Sequence, residues 1–209
     1  MKNYRDEFPF GYCAARFLRQ WEMREETLYT AISSTQREDS IINALAYFQV
    51  SRNFANLRKN QENVKKILSA LNEVKCDERF PSACEKVMEL SERFKNEFGK
   101  FNLSAATKLL WLSYRSPYVI HDKRAVTALN RKFQLKFDSR SYSEYASAWR
   151  TEYAKAEGGI VKAIANLPTG RAFMPKTSLT DIDLKKLAKQ SWFKERVFDI
   201  FLWEVGGDD

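Results

Sequence analysis

The spacing of apolar residues along the chain predicts a protein built of helices. Apolar and aromatic side chains recur at three- and four-residue intervals over residues 12–31 and 39–57, as on the buried face of an amphipathic helix. The same spacing recurs in four further segments, residues 60–74, 81–98, 142–164 and 181–206. These segments together cover most of the chain, so helix is the expected secondary structure.

Capping residues and helix breakers predict where several helices begin and end. Gly99 directly follows residues 81–98 and is expected to end that helix. Ser104 is expected to cap a short helix, AATKLLWLSYR, which must end before Pro117 because proline disfavours helical backbone in the residue before it. Asp122 is expected to cap the next helix, KRAVTALNRKF.

Glycine and proline predict interruptions in the second half of the chain. The pair Gly158 and Gly159 predicts a break in the long helix that follows Tyr142. Residues 167–180, LPTGRAFMPKTSLT, contain two prolines and a glycine and predict a loop. The chain has no internal repeat, so we expect a single all-α domain over residues 1–209.

Composition excludes several other classes of protein. Apolar residues make up 44% of the 209 residues, with 7 Gly and 5 Pro, which argues against collagen-like and linker-like chains. The chain has neither a signal peptide pattern nor an apolar run long enough to cross a membrane. We therefore expect a cytoplasmic protein with no membrane partner.

The cysteines and the lone histidine limit the chemistry that the chain can perform. Cys13, Cys76 and Cys84 are an odd number without CxxC spacing, which argues against a disulfide framework and a closed zinc or iron–sulfur site. His121 is the one histidine of the chain, which excludes sites that need two. We expect no metal and no organic cofactor.

Positive charge is concentrated in one part of the chain. The whole sequence has a formal net charge of +8, and residues 101–150 alone hold nine basic side chains against three acidic ones. Positive charge concentrated in this way is typical of proteins that bind nucleic acid phosphates. The alternative is an ordinary basic surface that is exposed to solvent. We expect the phosphate contacts to come mainly from Lys123, Arg124, Arg131 and Lys132.

Lys108 and Asp122 are the residues with the most evident chemical potential. If Ser104 caps its helix, Lys108 lies near the helix N-terminus, where the dipole and neighbouring cations favour the unprotonated, nucleophilic amine. Asp122 follows a short extended stretch and is suited to stabilise a developing positive charge. The alternatives are an ordinary surface lysine and an aspartate that only caps a helix.

The segment SAATKLLWLSYRSPYVIHDKRAV resembles the core of the helix-hairpin-helix (HhH-GPD) DNA glycosylases, where a lysine follows a DNA-gripping hairpin and an aspartate comes after an extended stretch. It is most similar to compact bacterial proteins with an 8-oxoguanine DNA glycosylase fold, some of which are linked to anti-phage defence operons of the CBASS type. The C-terminal SWFKERVFDIFLWEVG is similar to the end of those proteins. The resemblance is strongest over residues 80–132, which we expect to form a helix-hairpin-helix-like core of the single domain. Residues 1–79 are expected to form N-terminal helices, and residues 133–209 C-terminal helices that complete the fold.

The resemblance also implies an activity. Lys108 would attack the deoxyribose C1′ of a flipped nucleotide with a damaged or modified purine, such as 8-oxoguanine, and Asp122 would assist. AP lyase activity would follow from the same imine intermediate, in base-excision DNA repair or in antiviral defence beside an operon-encoded protein partner. The hairpin GKFNLS lacks the usual Gly-hydrophobic-Gly, so duplex DNA, single-stranded DNA, RNA and a nucleotide all stay open as substrates.

A base-flipping enzyme needs an apolar or aromatic pocket and groups that hold the strand. For the base pocket we select Trp192 and Phe193, which follow the polar KKLAKQS and are expected at an edge of the fold, and then Trp111. Ser104 and His121 are expected to contact the nucleic acid. Packing in the core is the alternative for each of these aromatic residues and for His121.

Two interpretations without chemistry compete with the enzyme. One is a non-catalytic nucleic-acid-binding or anti-phage defence accessory protein, which keeps the glycosylase-like fold and the basic surface and binds without turnover. The other is a helical interaction module, which needs neither a buried Lys108 nor a cleft beside it.

Overall fold

A computed structural model of the chain describes residues 9–35, 38–54, 57, 59–167 and 178–207. Helices joined by turns account for these residues, with no strand among them, so the all-α prediction is confirmed. In chain order the helical elements are α1 (Phe10–Gln20), π1 (Trp21–Glu25), α2 (Glu26–Thr30), π2 (Ala31–Thr35), α3 (Glu38–Tyr47), a 3-10 turn (Ser51–Asn53), α4 (Gln61–Cys76), α5 (Ala83–Phe98), α6 (Leu103–Tyr114), α7 (Lys123–Thr127), π3 (Ala128–Lys132), α8 (Tyr142–Ala165), α9 (Asp181–Ala188) and α10 (Ser191–Val205).

The chain divides into two compact units. Unit 1 comprises Met1–Arg24 and Asp122–Asp209, and unit 2 comprises Glu25–His121. The three-part division at residues 79/80 and 132/133 stays a prediction. Lys108 belongs to unit 2, whereas Asp122 is the first residue of the second segment of unit 1.

Local capping interactions define both ends of α5 in unit 2. Ser82 and Glu85 form a reciprocal capping box, in which each side chain accepts a hydrogen bond from the other residue's backbone N–H. At the other end, Gly99 has a φ of 72°, the left-handed conformation that glycine adopts without steric cost. The predicted end of this helix at Gly99 is confirmed.

The start of α6 differs from the prediction. Asn102, not Ser104, is the N-cap, and its Oδ1 accepts a hydrogen bond from the backbone N–H of Ala105 at 3.1 Å. Asparagine is at least as good an N-cap as serine. With Asn102 as the cap, Leu103 occupies the first helical position, and its side chain is buried. Ser104 is therefore inside the first turn, and Lys108 is in the second.

The first two predicted helices are also revised. Residues 12–31 lie within a longer helical stretch that alternates between α and π geometry from Phe10 to Thr35. The predicted helix 39–57 instead ends at Tyr47, since Gln49 has a φ of 56° and the 3-10 turn follows. Phe54 is buried beyond that turn, and its apolar spacing mimicked a continued helix.

Two predictions about the helices of unit 1 are wrong. Helix α8 continues through Gly158 and Gly159 without a break. A Cβ at Gly159 would lie 3.0 Å from the Phe10 ring, so this glycine permits a close approach of α1. The predicted helix 181–206 is divided at Lys189 and Gln190 into α9 and α10. Most of the predicted loop 167–180 lies outside the described residues.

Each unit has one helix that is buried on most of its surface. In unit 2 this is α6, which packs against α2, π2, α3 and α5. In unit 1 it is α10, which packs against α1, α7, π3, α8 and α9. A helix buried on nearly every side presents its polar residues to protein rather than to water, so its polar residues are chemically informative.

Candidate functional site

Lys108 is buried in unit 2, with 4% of its surface exposed. Its Nζ donates a hydrogen bond to Ser104 Oγ, 2.6 Å away and one helical turn earlier on α6. The same Nζ lies 5.9 Å from the centre of the Phe48 ring, just beyond α3. Lysines are rarely buried without a function or a partner, so the ordinary surface lysine is ruled out.

Ser104 is half-buried, and its hydroxyl oxygen accepts the hydrogen bond from Lys108. Because Ser104 is partly exposed, the buried amine of Lys108 is one hydrogen bond away from a residue that contacts solvent. The role predicted for Ser104, contact with nucleic acid, stays a prediction.

A segment without helix or strand structure leads from α6 to His121 in unit 2. Tyr118, Val119 and Ile120 are buried, and the backbone N–H of His121 donates to Thr107 Oγ1 at 3.0 Å. This hydrogen bond ties the segment to the residue next to Lys108 on α6. The His121 ring is half-buried, and its contact with nucleic acid stays a prediction.

Asp122 caps α7, as the sequence predicted. Its Oδ1 accepts a hydrogen bond from the backbone N–H of Arg124 at 3.0 Å. Asp122 and Lys108 belong to different units, and the electrostatic role of Asp122 toward Lys108 stays a prediction.

The basic residues of the region fall mainly in unit 1. Of the nine cations in residues 101–150, all but Lys108 and Arg115 belong to that unit. Five of these side chains are exposed: Lys123, Arg131, Lys136, Arg140 and Arg150. Lys132 and Arg124 are half-buried. We call these seven residues the basic segment.

Arg124 is held in place by an aromatic ring. Its guanidinium lies 3.8 Å from the centre of the Trp203 ring, and the guanidinium of Arg16 lies 4.8 Å from the same centre. Arg16 also forms an ion pair with Glu204. Arginine stacking on tryptophan restricts the guanidinium while its N–H groups stay available for hydrogen bonds.

The candidates for the base pocket lie in the core. Trp192 and Phe193 are buried among Phe17 and Trp21, with ring centres 4.6 Å apart for Trp21 and Trp192 and 4.9 Å apart for Phe17 and Phe193. The expectation that they lie at an edge of the fold is therefore wrong, because α1 covers them. Trp111 is likewise buried, in α6. Their role in a base pocket stays a prediction.

Glu25 is a buried residue that the sequence analysis missed. It is 0% exposed in π1, and its Oε1 accepts a hydrogen bond from the Tyr47 hydroxyl at 3.0 Å. The sequence did contain a signal, since Glu25 replaces an apolar residue in a stripe of buried positions. The other members of that stripe are Ala14, Leu18, Trp21, Leu28 and Ile32.

The described residues of unit 1 include two further buried carboxylates, Glu152 on α8 and Asp199 on α10. The Trp149 indole N–H donates to Asp199 Oδ1 at 2.8 Å, and Arg196 lies 3.5 Å from its other oxygen. Burial raises the pKa of Asp199 to about 7, against the opposing effect of Arg196.

The described part of the chain offers neither a metal-binding cluster nor a helix that could span a membrane. It has no group of three or more histidine, cysteine, aspartate or glutamate side chains that could hold a metal ion. None of its helices combines the length and the apolar character required of a membrane span.

Comparisons with protein-family models, curated proteins and solved structures found no match to this chain. The residues of the chain itself are therefore the basis for assigning a function.

Proposed function

We propose that the chain is a DNA glycosylase with AP lyase activity, which excises a damaged or modified purine by means of the Lys108 amine. The observation that carries this proposal is the burial of Lys108 with its Nζ hydrogen-bonded to Ser104 Oγ. A buried amine is shielded from water and held in one orientation, both of which favour attack on a substrate carbon.

In the proposed reaction, the Lys108 nitrogen bonds to C1′ of the deoxyribose while the bond from C1′ to the purine breaks. The purine leaves with a proton that the lysine nitrogen loses. Opening of the sugar ring then gives an imine between Lys108 and C1′. Loss of a C2′ proton breaks the C3′–O bond, and water finally releases the lysine as a free amine.

The basic segment supports binding of the nucleic acid strand in this proposal. Its exposed lysines and arginines would neutralise phosphates, and Arg124 on the Trp203 ring would present a fixed guanidinium. Asp122, at the start of α7, would supply the negative charge that stabilises the cationic transition state.

Borohydride trapping tests the proposed nucleophile. The protein is incubated with oligonucleotides that carry oxidised, deaminated or abasic sites, in single- and double-stranded form, and the imine is reduced to a stable adduct. We expect an adduct at Lys108 that Lys108→Gln abolishes. Lys86→Gln is the matched control, since Lys86 is another lysine of unit 2 whose amine is hydrogen-bonded, to the Lys75 carbonyl at 2.7 Å.

Circular dichroism of each variant separates lost chemistry from lost folding. An adduct that persists in a folded Lys108→Gln variant would contradict the assignment of the nucleophile. The absence of any adduct across the panel, with binding unaffected by Lys108→Gln, would exclude the enzyme.

The second candidate is a non-catalytic nucleic-acid-binding protein, such as an anti-phage defence accessory. The exposure of the basic segment in unit 1 favours it, because these residues can bind phosphates without any contribution from Lys108. Its test is the salt dependence of binding, which should lose a slope of about 0.7 to 0.9 for each phosphate contact removed. Lys123→Gln and Arg131→Gln should each lower the slope, and indifference to both would remove nucleic acid as the partner.

A further inference from the structure

Two arginines of unit 1 lie against the ring of Trp203, and they differ in their partners. The guanidinium carbon of Arg16 lies 4.8 Å from the ring centre, and that of Arg124 lies 3.8 Å from it. Arg16 forms an ion pair with Glu204. Arg16 also donates a hydrogen bond to the Tyr12 hydroxyl at 3.3 Å, and that hydroxyl donates to Glu204 at 3.2 Å. These contacts connect α1 to α10, so Arg16 is part of the packing of the unit.

Arg124 has a different environment. Within the described part of the chain, no carboxylate lies within ion-pair distance of its guanidinium, and no acceptor takes a hydrogen bond from it. The side chain is nonetheless half-buried and held against the Trp203 ring. Because the guanidinium is already fixed, its N–H donors are oriented before a ligand arrives, and little conformational entropy is lost on binding.

Gly207 also determines where the Arg124 guanidinium lies. A Cβ at Gly207 would be 2.8 Å from Arg124 Nη1 and 3.2 Å from its guanidinium carbon. Both distances are shorter than an ordinary van der Waals contact, so a side chain at this position would displace the guanidinium. The position of this positive charge therefore depends on Gly207 as well as on the Trp203 ring.

The charges around Trp203 suit an anion with a single negative charge. Glu204 offsets Arg16, which leaves the charge of Arg124. A guanidinium presents paired N–H groups in one plane, which suit two oxygens of one anion. Carboxylates and phosphodiesters both have this form. The exposed cations of the basic segment lie in the same unit and favour a strand of phosphodiesters, because such a strand repeats its negative charge at every nucleotide.

We propose that Arg124, fixed by Trp203 and Gly207, binds one internal phosphodiester of a nucleic acid strand and sets the position of that strand on unit 1. The exposed cations of the basic segment would attract the strand without fixing it. Contacts to phosphates fix the register of a strand and do not read its bases. The use of this site in catalysis rests on the proposed function, whereas binding itself requires neither Lys108 nor turnover.

Replacement of Arg124 by lysine tests the site without removing its charge. Affinity for a short oligothymidylate without a terminal phosphate is measured by fluorescence anisotropy at constant low salt. Lysine cannot form the paired hydrogen bonds of a guanidinium, so Arg124→Lys should bind about tenfold more weakly. Arg140→Lys is the matched control, because Arg140 is an exposed arginine of the same unit and should tolerate the change.

Three results of this experiment would overturn the proposal. They are a wild-type protein that does not bind the strand, an Arg124→Lys variant that binds as well as the wild type, and equal losses in Arg124→Lys and Arg140→Lys. Circular dichroism checks that each variant is folded.

Gly207→Ala tests the position of the guanidinium with every charge retained. The added Cβ should displace the guanidinium and lower the affinity for the oligothymidylate, by up to the loss seen in Arg124→Lys. Gly158→Ala is the matched control, since a Cβ at Gly158 meets nothing within 4 Å. Full affinity in Gly207→Ala would show that the fixed position of the guanidinium is not needed, which contradicts the proposed site.

Nuclear magnetic resonance of the wild-type protein tests the contact without relying on the stability of a variant. The Arg124 Nε–H resonance should shift on titration with the oligothymidylate, and the same strand with a 5′-phosphate should give the same shift. An unshifted resonance would overturn the proposal. A larger shift with the 5′-phosphorylated strand, or with oligoglutamate at the same concentration, would assign the site to a terminal phosphate or to carboxylates instead.

This proposal and the glycosylase can fail separately. No adduct across the oligonucleotide panel, together with the loss of affinity in Arg124→Lys, would exclude the enzyme and keep the phosphodiester site. Normal adduct formation, together with wild-type affinity in Arg124→Lys, would exclude the site and keep the enzyme.

Discussion

The two units each bury opposite charges, but they do so differently. In unit 1, Arg196 and Asp199 lie one turn apart on α10, 3.5 Å from each other, and Asp199 also accepts a hydrogen bond from Trp149. In unit 2, Glu25 and Lys108 lie on separate elements, π1 and α6. Lys108 has a hydrogen bond to Ser104, which is partly exposed.

This difference separates a structural ion pair from a buried lysine suited to chemistry. A pair on one helix is fixed by that helix and is covered by aromatic rings, with the Arg196 guanidinium 5.2 Å from the centre of the Phe17 ring. In unit 2, by contrast, the Lys108 amine is one hydrogen bond from the half-exposed hydroxyl of Ser104, where we expect it to meet a substrate. The comparison predicts that disruption of the Arg196–Asp199 pair affects stability and that substitution of Lys108 affects reactivity.

The largest effect on stability is expected for Arg196→Met in unit 1. Loss of the guanidinium leaves Asp199 buried without its cation, which should cost up to about 5 kcal/mol at a pH above 7. The cost should be smaller at pH 5, where Asp199 is neutral. Urea denaturation measures the loss of unfolding free energy at each pH. A loss independent of pH would contradict the structural assignment of this pair.

A slightly smaller effect is expected from pH alone. The pKa of Asp199 is raised from 3.8 to about 7 by burial, so the folded protein binds a proton that the unfolded chain releases. The contribution of Asp199 to the free energy of unfolding is therefore fully present below pH 3.8. It falls as the pH rises toward 7, by about 4 kcal/mol for a shift of this size.

Asp199→Asn should remove this pH dependence. The amide oxygen can still accept the hydrogen bond from Trp149, so packing is preserved. Thermal melts of both proteins across the pH range check the prediction. A variant with the same slope as the wild type would assign the pH dependence to another group, such as Glu195, whose pKa is also raised by burial.

Asp122→Asn sharpens the comparison at the boundary of unit 1. Asparagine caps helices about as well as aspartate, so stability should be retained. If the charge serves Lys108, formation of the borohydride-trapped adduct should slow by about 100-fold, or about 2.7 kcal/mol. Single-turnover kinetics measure the change, and a fully active variant would leave Asp122 as a helix cap alone.

The smallest effect is expected from the N-caps of α6 and α8. Asn102→Ala and Ser141→Ala each remove a side-chain acceptor for a backbone N–H and should each cost about 1 kcal/mol. The first variant alters the helix that contains Lys108, whereas the second alters a helix of unit 1. Asn102→Ala should therefore also slow adduct formation, and an equal effect of Ser141→Ala would show that general destabilisation is responsible.

The helices and many of their ends could be predicted because their causes are local. Gly99 and Asp122 each act on backbone groups within a few residues, and the expected helix end at Gly99 and N-cap at Asp122 are confirmed. The sequence alone does not distinguish Ser104 from Asn102 as the cap of α6, because Asn102, two residues earlier, is also a good N-cap. Choosing between them depends on whether Leu103 is buried, which is a tertiary property.

The candidate site was predictable only in part. Lys108 stood out by its position on a short helix, whereas Glu25 was inconspicuous among the charged residues around it. Recognition of Glu25 requires knowing that the helical stripe through Leu28 and Ile32 is buried. The prediction for Trp192 and Phe193 is wrong for the opposite reason. Their polar neighbours in sequence indicate an edge of the fold, whereas α1 covers both rings.

Gly206 gives a practical means of recognising relatives of this chain. A Cβ at this position would lie 1.9 Å from the carbonyl oxygen of Arg124, so any other residue would push the end of α10 away from the start of α7. That displacement would separate Arg124 from the ring of Trp203, three residues before the glycine. A distant homologue that retains this stacked arginine should therefore retain the pattern Trp-x-x-Gly near its end, even where little else of the sequence survives.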